Sequence, residues 1–321
     1  MHINRLTLVA GVALALLGSV AFAADKKTVA VTSIVEHPAL NAARDGVKKA
    51  LEDAGYKDGD TLSFQFETAQ GSPATAAQIA QKYVGEKADV IVGIATPSAQ
   101  AALAATKDIP IVFTAVTDPV AAQLVKDPAK PEGNVTGVTD ATPMPDQLKL
   151  IQAVAPNAKK IGFIYNPGEA NSVVQLENMK KATAALGFET IEAPATKSAD
   201  VGAAAQSLIG KADAIFVPTD NLVVSALEAV ITVGTENKIP VFSGDTNGVE
   251  RGAVASIGVD YFKSGVLAGE MVVRILKGEK PSAIPVAFPS ATDLFLNQKT
   301  AGPMGVTLPA DLVAKAKTVV K

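Results

Sequence analysis

Six short polar segments of the sequence each follow a run of apolar, mostly β-branched residues. They occupy residues 33–38, 95–99, 115–119, 166–172, 218–221 and 244–247. Each segment is rich in Ser, Thr, Asn or acidic side chains, whose hydroxyl, amide and carboxylate groups hold small polar molecules. If the apolar runs are strands of a parallel sheet, the segments lie at the strands' carboxyl ends, where such sheets bind ligands. The pattern predicts a binding site for a small polar molecule.

The candidate ligand-binding residues come from all six segments. In the first three segments they are Ser33, Ile34, Glu36, His37, Pro38, Thr96, Pro97, Ser98, Ala115, Thr117 and Asp118. In the last three they are Asn166, Glu169, Asn171, Ser172, Thr219, Asp220, Asn221 and Asp245. The two sets occupy matching positions in two halves of the chain, so we expect them to face each other.

The segment Thr96-Pro97-Ser98 has the pattern of a helix start that binds a carboxylate. Thr96 is predicted to cap the helix, with Pro97 at its first position. The backbone amides of Ser98 and Ala99 then point outward, and together with the helix dipole they suit an anion. The alternative is that Thr96 only caps its own helix.

Four acidic residues at predicted strand ends are candidates to bind a ligand ammonium group. They are Asp118, Glu169, Asp220 and Asp245. Each also suits a turn or a helix cap, where short acidic side chains are common. Asp245 is favoured because no obvious helix follows it, and Asp220 is the second choice.

The sequence provides little for catalysis. It contains no Cys, and His37 is the only His outside the first 23 residues. A metal site or a nucleophilic triad therefore lacks its usual side chains, and no glycine-rich phosphate-binding motif follows any predicted strand. We expect no cofactor, no metal and no enzymatic activity.

A repeated pattern predicts the architecture. Residues 26–31 resemble residues 159–164, and residues 108–114 resemble residues 238–243, with helical periodicity between the apolar runs. Strands alternating with helices imply a parallel sheet built from βαβ units. The fold class is therefore α/β, with two Rossmann-like lobes of parallel strands joined by crossing segments around a central ligand cleft.

Composition shifts set the expected lobe limits. The first lobe comprises residues 24–140 and 261–290, and the second comprises residues 141–260 and 291–321. We expect crossings near residues 139–145 and along residues 281–292. Residues 308–320 are predicted to form a short amphipathic helix.

The first 23 residues have the features of a cleaved signal peptide. Arg5 precedes an apolar run over residues 6–20, and Ala21-Phe22-Ala23 suits a signal peptidase. Cleavage removes one of 29 basic side chains and none of the 32 acidic ones, leaving a net charge of −4. That balance does not indicate nucleic-acid binding, and the absence of Cys excludes lipid attachment through that residue. We expect a freely diffusing periplasmic monomer.

The mature chain resembles the periplasmic substrate-binding proteins of ABC transporters, of the type I two-lobe architecture. Within that group it is similar to the tryptophan/tyrosine-type family. The resemblance rests on residues 31–40, 94–100, 113–119, 165–172 and 216–221. It implies capture of an aromatic or branched apolar amino acid by lobe closure, and delivery to an inner-membrane permease. Residues suited to wall the side-chain pocket are Ile34, Pro38, Leu40, Pro97 and Val116.

Three alternatives remain at this point. A sugar or nucleoside carrier of the same fold usually presents stacking aromatics and Arg, whereas this chain has no Trp. An exported enzyme lacks the His and Cys chemistry described above. The third alternative is a sensor that passes its closed form to a membrane receptor rather than to a permease, and nothing in the sequence excludes it.

Overall fold

Two β-sheets, each covered by helices, make up the part of the chain that the structure describes. This computed structural model describes residues 26–289 and 292–321. The predicted signal peptide over residues 1–23 lies outside those ranges. Among the described helices, none has the length and apolar character needed to cross a membrane.

The first sheet has five parallel strands in the order β2-β1-β3-β4-β5. The strands are β1 (Lys27–Ser33), β2 (Leu62–Thr68), β3 (Val90–Ile94), β4 (Ile111–Val116) and β5 (Val135–Thr139). Its first three helices are α1 (Pro38–Asp53), α2 (Pro73–Gly85) and α3 (Thr96–Ala105). The three central strands are buried along nearly their whole length, because helices cover both faces of the sheet. This sheet and its helices form the first lobe.

The second sheet has seven strands in the order β12-β11-β10-β9-β8-β6-β7. The strands are β6 (Lys160–Tyr165), β7 (Glu189–Pro194), β8 (Ala214–Val217), β9 (Val241–Ser243), β10 (Ala255–Gly258), β11 (Asp293–Asn297) and β12 (Thr318–Val320). All neighbouring strands are parallel except β10 and β11, which run antiparallel. The parallel sheet expected for this lobe therefore contains one antiparallel pair. β11 follows a long connection back from the first lobe and enters the sheet in the opposite direction.

Most of the remaining helices belong to the second sheet, which with them forms the second lobe. Its helices are α4 (Met144–Val154), α5 (Ala170–Leu186), α6 (Val201–Gln206), α7 (Asn221–Ser225), α8 (Leu227–Asn237), α9 (Asn247–Glu250), α11 (Gln298–Ala301) and α12 (Ala310–Lys315). α10 (Tyr261–Leu276) differs, because it packs against α1 and shares the hydrophobic core of the first lobe. The chain therefore returns to the first lobe after β10.

The C-terminal tail differs from its prediction. Residues 308–320 were expected to form one amphipathic helix, but the helical part is the short α12. The final residues form β12, which pairs with β11. Thr318, Val319 and Val320 are β-branched, and such residues favour an extended strand over a helix end.

The contact between α1 and α10 depends on glycine. A Cβ at Gly265 would overlap the carbonyl oxygen of Ala43, and one at Gly46 would overlap the carbonyl oxygen of Phe262. A Cβ at Gly269 would lie 2.7 Å from the carbonyl oxygen of Val47. These obstacles are backbone atoms, which a side-chain rotation cannot remove. The two helix backbones therefore approach closely only because these positions lack side chains.

We predict that Gly265→Ala lowers the free energy of unfolding by about 2–3 kcal/mol, the upper part of the range for overpacking a core. The matched control is Gly85→Ala, at the end of α2, where a new Cβ meets nothing within 4 Å. That control should leave stability unchanged or raise it slightly, because Ala favours helix. Urea unfolding of both variants measures the difference, and equal midpoints would contradict the packing argument.

Candidate ligand-binding site

The polar segments of the two lobes meet across a cleft. In the first lobe, Ser33 of β1 lies beside Ile94 of β3, which lies beside Thr114 of β4. The segments after these three strands therefore share one edge of the sheet. The corresponding edge of the second lobe faces it, since Thr117 Oγ1 lies 3.4 Å from Thr219 Oγ1. The two lobes thus touch at strand-end residues.

Three cavities lie along this cleft. The innermost is about 10 Å³, roughly the size of one water molecule. A cavity of about 350 Å³ adjoins it, and Asp140 and Thr219 line both of these spaces. A third cavity, of about 510 Å³, lies between Ile34 and Pro97 of the first lobe and Glu169 of the second.

Many predicted residues line these cavities, and others do not. The innermost cavity is lined by His37, Ala115, Asn221 and Asp245. Thr219 lines that cavity and the 350 Å³ cavity, which is also lined by Thr117 and Asp118. The third cavity is lined by Ile34, Pro97, Asn166 and Glu169. The predicted residues that line none of the three are Ser33, Glu36, Pro38, Thr96, Ser98, Asn171, Ser172 and Asp220.

Three of the predicted residues that line no cavity, Ser33, Glu36 and Pro38, have local roles. The Ser33 hydroxyl donates to the carbonyl of Val35 and closes a turn. Glu36 is exposed and pairs with Arg44 at 3.7 Å. Pro38 is exposed and opens α1. Their positions favour a structural role over direct contact with a buried ligand.

The start of α3 differs from its prediction by one residue. Ala95, with a φ of 71°, holds the cap position, so Thr96 is the first helical residue and Pro97 the second. The amide of Ala99 donates to the carbonyl of Ala95 and is not free. The hydroxyls of Thr96 and Ser98 are buried and have no hydrogen-bond partner among the described residues. These hydroxyls, rather than a capping interaction, are the polar groups that this segment offers.

Glu169 serves the second lobe. Its carboxylate accepts hydrogen bonds from the side chains of Asn166, Asn171 and Asn221 and from the amides of Asn221 and Leu222. These contacts join the segments that follow β6 and β8. The Glu169 carboxylate thus has protein partners for both of its oxygens.

Asp220 is similarly occupied. Its carboxylate accepts from the amides of Asn166 and Val223 and from the Ser172 hydroxyl, which lies 2.6 Å away. Burial, together with the negative charge of Glu169, raises the pKa of Asp220 to about 7. Asp220 caps α7. The structure therefore gives this residue the role of a helix cap, which was the alternative to binding a ligand ammonium.

Asp118 and Asp245 also have local roles. Asp118 accepts from the amides of Val120 and Ala121 and closes a turn. Asp245 accepts from the amide of Gly248 at 3.0 Å, at the start of α9. The reason for favouring Asp245 was therefore wrong, because a four-residue helix does follow it. Burial raises the pKa of Asp245, which also lines the innermost cavity.

Asp140 is a buried acid that the predicted set omitted. It directly follows β5, is only 5% exposed, and accepts a hydrogen bond of 2.7 Å from the Tyr261 hydroxyl through Oδ2. Its Oδ1 is buried and has no partner among the described residues. Burial raises the pKa of Asp140, and the nearby hydroxyls of Tyr261 and Thr117 offset part of that shift, although the Thr117 hydroxyl forms no hydrogen bond with Asp140. Its place after Thr139, at a strand end, was the signal that could have identified it.

His37 is held as a neutral imidazole. It is 8% exposed, and its Nδ1 has no hydrogen-bond partner among the described residues. Burial, assisted by the positive charge of Arg251, lowers the pKa of His37 from 6.5 to about 3. At neutral pH the side chain is therefore a polar but uncharged part of the cleft.

This shift predicts how acid affects stability. Unfolded His37 binds a proton below pH 6.5, whereas the folded side chain does not until about pH 3. The stability contributed by neutral His37 is therefore present above pH 6.5 and lost as pH falls, by about 1.4 kcal/mol per pH unit. The ligand-free His37→Gln variant should lose less stability between pH 7 and pH 4 than the parent. Parallel urea-unfolding profiles of the two proteins over this range would contradict the prediction.

With this geometry established, comparison with known proteins identifies the family. Residues 28–320 match the family described as ABC transporter substrate binding protein. The chain belongs to that family. Its members bind substrates for transport, in agreement with the expectation of a binding protein rather than an enzyme, and they act outside the cytoplasm.

Several relatives resemble this binding protein closely. A tyrosine-binding protein from Clostridioides difficile is 45% identical over 275 residues, which cover 86% of this chain and 80% of the relative. A domain from Streptococcus pneumonia in complex with L-Trp is 36% identical, with a TM-score of 0.89 over 92% of this chain and 100% of the other. The ligand-free, open structure of CD0873 from Clostridium difficile is 44% identical, with a TM-score of 0.69 over 92% of this chain and 99% of the other.

More distant structures agree with the predicted fold class. Two solute-binding proteins at 14% and 17% identity overlay with TM-scores of 0.62 and 0.60. Sequence identity this low supports a shared fold and nothing further. The α/β, two-lobe type I periplasmic-binding architecture expected from the sequence is confirmed.

Proposed function

We propose that this binding protein captures an aromatic L-amino acid between its lobes and delivers it to an ABC permease. The observation that carries the proposal is a set of buried polar atoms, without partners among the described residues, in segments bordering the cleft. They are Asp140 Oδ1 and the hydroxyls of Thr96 and Ser98. Asp140 lines two of the cleft cavities, and its free carboxylate oxygen suits a ligand ammonium. Thr96 and Ser98 line none of the three cavities but flank Pro97, which lines the third, so we infer that their hydroxyls meet a ligand carboxylate only after a local shift of this segment.

The aromatic side chain is inferred from the adjoining cavity. Met144, Val174 and Phe216 contribute apolar lining to the 350 Å³ space, which falls within the usual size range of small-molecule sites. The relatives named for tyrosine and L-Trp support an aromatic ligand. A sugar or nucleoside is less favoured, because neither relative carries one.

Lobe closure is supported by the pattern of similarity. The L-Trp-bound domain overlays better than the ligand-free, open CD0873, although CD0873 has the higher sequence identity. Sequence divergence alone would give CD0873 the higher TM-score of the two. A different angle between the lobes of the open CD0873 structure accounts for its lower TM-score. The contact between Thr117 and Thr219 also fits a closed cleft. We infer that the described arrangement corresponds to the closed form and that the lobes open to admit ligand.

The cellular setting is part of the proposal. The apolar run of residues 6–20 and the absence of Cys support a cleaved signal peptide and a freely diffusing periplasmic protein. We propose a monomer with lobes comprising residues 24–140 with 261–290 and residues 141–260 with 291–321. The shared core of α10 with the first sheet supports this division. The partner is the inner-membrane permease of the same transporter.

The proposed ligand class predicts a thermal-shift result. Protein that has been unfolded and refolded to remove ligand should melt at a higher temperature with L-Tyr or L-Trp. A hundredfold excess over the dissociation constant adds about 2.7 kcal/mol to stability. The panel should include the other amino acids, with galactose and adenosine as controls. A shift with a sugar or nucleoside and none with amino acids would reject the proposal.

A substitution at Ser98 separates binding from folding. Because its buried hydroxyl has no partner among the described residues, Ser98→Ala should leave ligand-free stability unchanged or raise it by about 1 kcal/mol. Affinity for the aromatic amino acid should fall by about tenfold, since one hydrogen bond to a charged carboxylate is lost. Calorimetric titration and urea unfolding provide the two readouts.

The matched control for this variant is Thr183→Val in α5. The Thr183 hydroxyl donates to the carbonyl of Met179 and lies 2.9 Å from the Thr190 hydroxyl, away from the cleft cavities. This variant should lose about 1 kcal/mol of stability and keep its affinity. Unchanged affinity in Ser98→Ala would remove Ser98 from the proposed carboxylate site.

A further inference from the structure

Gln147 is a buried amide whose orientation is fixed by the protein. It lies in the first turns of α4, is 2% exposed, and donates from Nε2 to the carbonyl of Ile257 at 2.8 Å. A carbonyl oxygen can only accept a hydrogen bond, so the amide nitrogen must face β10. The Oε1 atom is consequently directed away from that strand. Sequence reasoning did not select Gln147, because it lies inside a helix rather than at a strand end.

The 350 Å³ cavity is the space that Gln147 borders. Met144, Val174 and Phe216 line the same space, and Asp140 connects it to the innermost cavity. Gln147 Oε1 accepts no hydrogen bond from the described residues, yet it is not among the fully enclosed unpaired atoms. Beside Met144, Val174 and Phe216, the cavity therefore offers an acceptor whose direction the protein fixes, in addition to the polar side chains that Asp140, Thr142 and Asn178 contribute to the same lining.

Gln175 borders the same cavity and shows the contrast. Its Nε2 donates to the carbonyl of Asn171 at 3.2 Å, and its Oε1 accepts from the amide of Thr219 at 3.1 Å. Both ends of that amide are therefore occupied by the protein. Of the two buried glutamines in this lining, Gln147 is the one with an acceptor to offer a ligand.

We propose that Gln147 determines specificity by accepting a hydrogen bond from the ring of the ligand, so that L-Tyr and L-Trp bind in preference to L-Phe. The inference rests on the proposed function, since it requires an aromatic amino acid with its side chain in the 350 Å³ cavity. The tyrosine phenol and the tryptophan indole each carry one donor at the ring edge, and the phenylalanine ring carries none.

The physical basis is the penalty for leaving a buried acceptor unpaired. L-Phe fills the cavity but gives Gln147 Oε1 no partner, and the oxygen cannot turn elsewhere while Nε2 is bound to β10. Sites built around such a hydrogen bond reject the analogue that lacks the donor far more strongly than apolar pockets reject a size difference. We expect L-Tyr and L-Trp to bind more than about tenfold more tightly than L-Phe.

The first test uses the unaltered protein and near-isosteric ligands. Calorimetric titrations compare L-Tyr with 4-fluoro-L-phenylalanine, and L-Trp with 3-benzothienyl-L-alanine, in which sulfur replaces the indole N–H. For each natural ligand that binds, the donor-free partner should bind more than about tenfold more weakly. Equal affinity within each pair overturns the role of Gln147 while leaving the proposed function intact. No binding of any aromatic amino acid overturns both, so the two failures are distinguishable.

The second test compares two glutamine substitutions. Gln147→Met removes the acceptor at similar volume, and it should reduce the preference for L-Tyr over 4-fluoro-L-phenylalanine to less than about threefold. Gln175→Met, the matched control in the same lining, should weaken all ligands alike and retain the preference, because the protein already occupies that amide. A preference that survives Gln147→Met overturns the inference. The ligand-pair comparison decides the question without either variant if one of them does not fold.

Discussion

The hydrogen bond between Tyr261 and Asp140 joins the two points at which the chain leaves and re-enters the first lobe. Asp140 follows the last strand of the first sheet, where the chain leaves for the second lobe. Tyr261 begins α10, where the chain returns. The bond of 2.7 Å thus ties the outgoing segment to the returning one, and both side chains are buried. Because it also fixes a carboxylate at the meeting point of two cleft cavities, the arrangement of the site depends on this pair.

The two edges of the cleft are built differently. In the second lobe, Glu169 and Asp220 are surrounded by protein donors, which join the segments after β6 and β8. These donors hold the two carboxylates in one geometry, although Asn171 Oδ1 in the same group has no partner among the described residues. In the segments around the first lobe, by contrast, Thr96, Ser98, His37 and Asp140 each retain a buried polar atom without a partner among the described residues. The carboxylates of Glu169 and Asp220 are thus occupied by the protein, whereas Asp140 keeps one carboxylate oxygen available to a ligand.

The architecture could be predicted from the sequence because buried parallel strands appear as continuous apolar runs. Runs such as Val90–Ile94 are apolar throughout, and helical segments such as α1, with apolar residues at helical spacing, separate several of them. Short or late elements left weaker signals. α9 has only four residues and β12 only three, too few to show a period. Those elements depend on tertiary contacts rather than on local preference.

The roles of individual site residues were harder to predict for a related reason. Whether an acid caps a helix or meets a ligand depends on which backbone amides lie within reach, and these come from distant segments. Asp220 accepts from Asn166, and Glu169 accepts from Leu222, across more than 50 positions of sequence. The cap of α3 shifted to Ala95 because that residue adopts a left-handed φ, which its type does not indicate. Strand-end position located the cleft, but it did not separate binding groups from structural ones.

The buried carboxylates of the cleft offer a way for a bound ligand to shift the proposed equilibrium between open and closed lobes. In the described arrangement, burial raises the pKa values of Asp140 and Asp245, so the ionised forms of both side chains are disfavoured there. An ammonium group beside Asp140 would remove much of that penalty by pairing with the charge. If the proposed closure is what brings the ammonium to Asp140, the ligand would bind the closed form more tightly than the open one. Differential affinity of this kind is the only means by which a ligand can shift such an equilibrium.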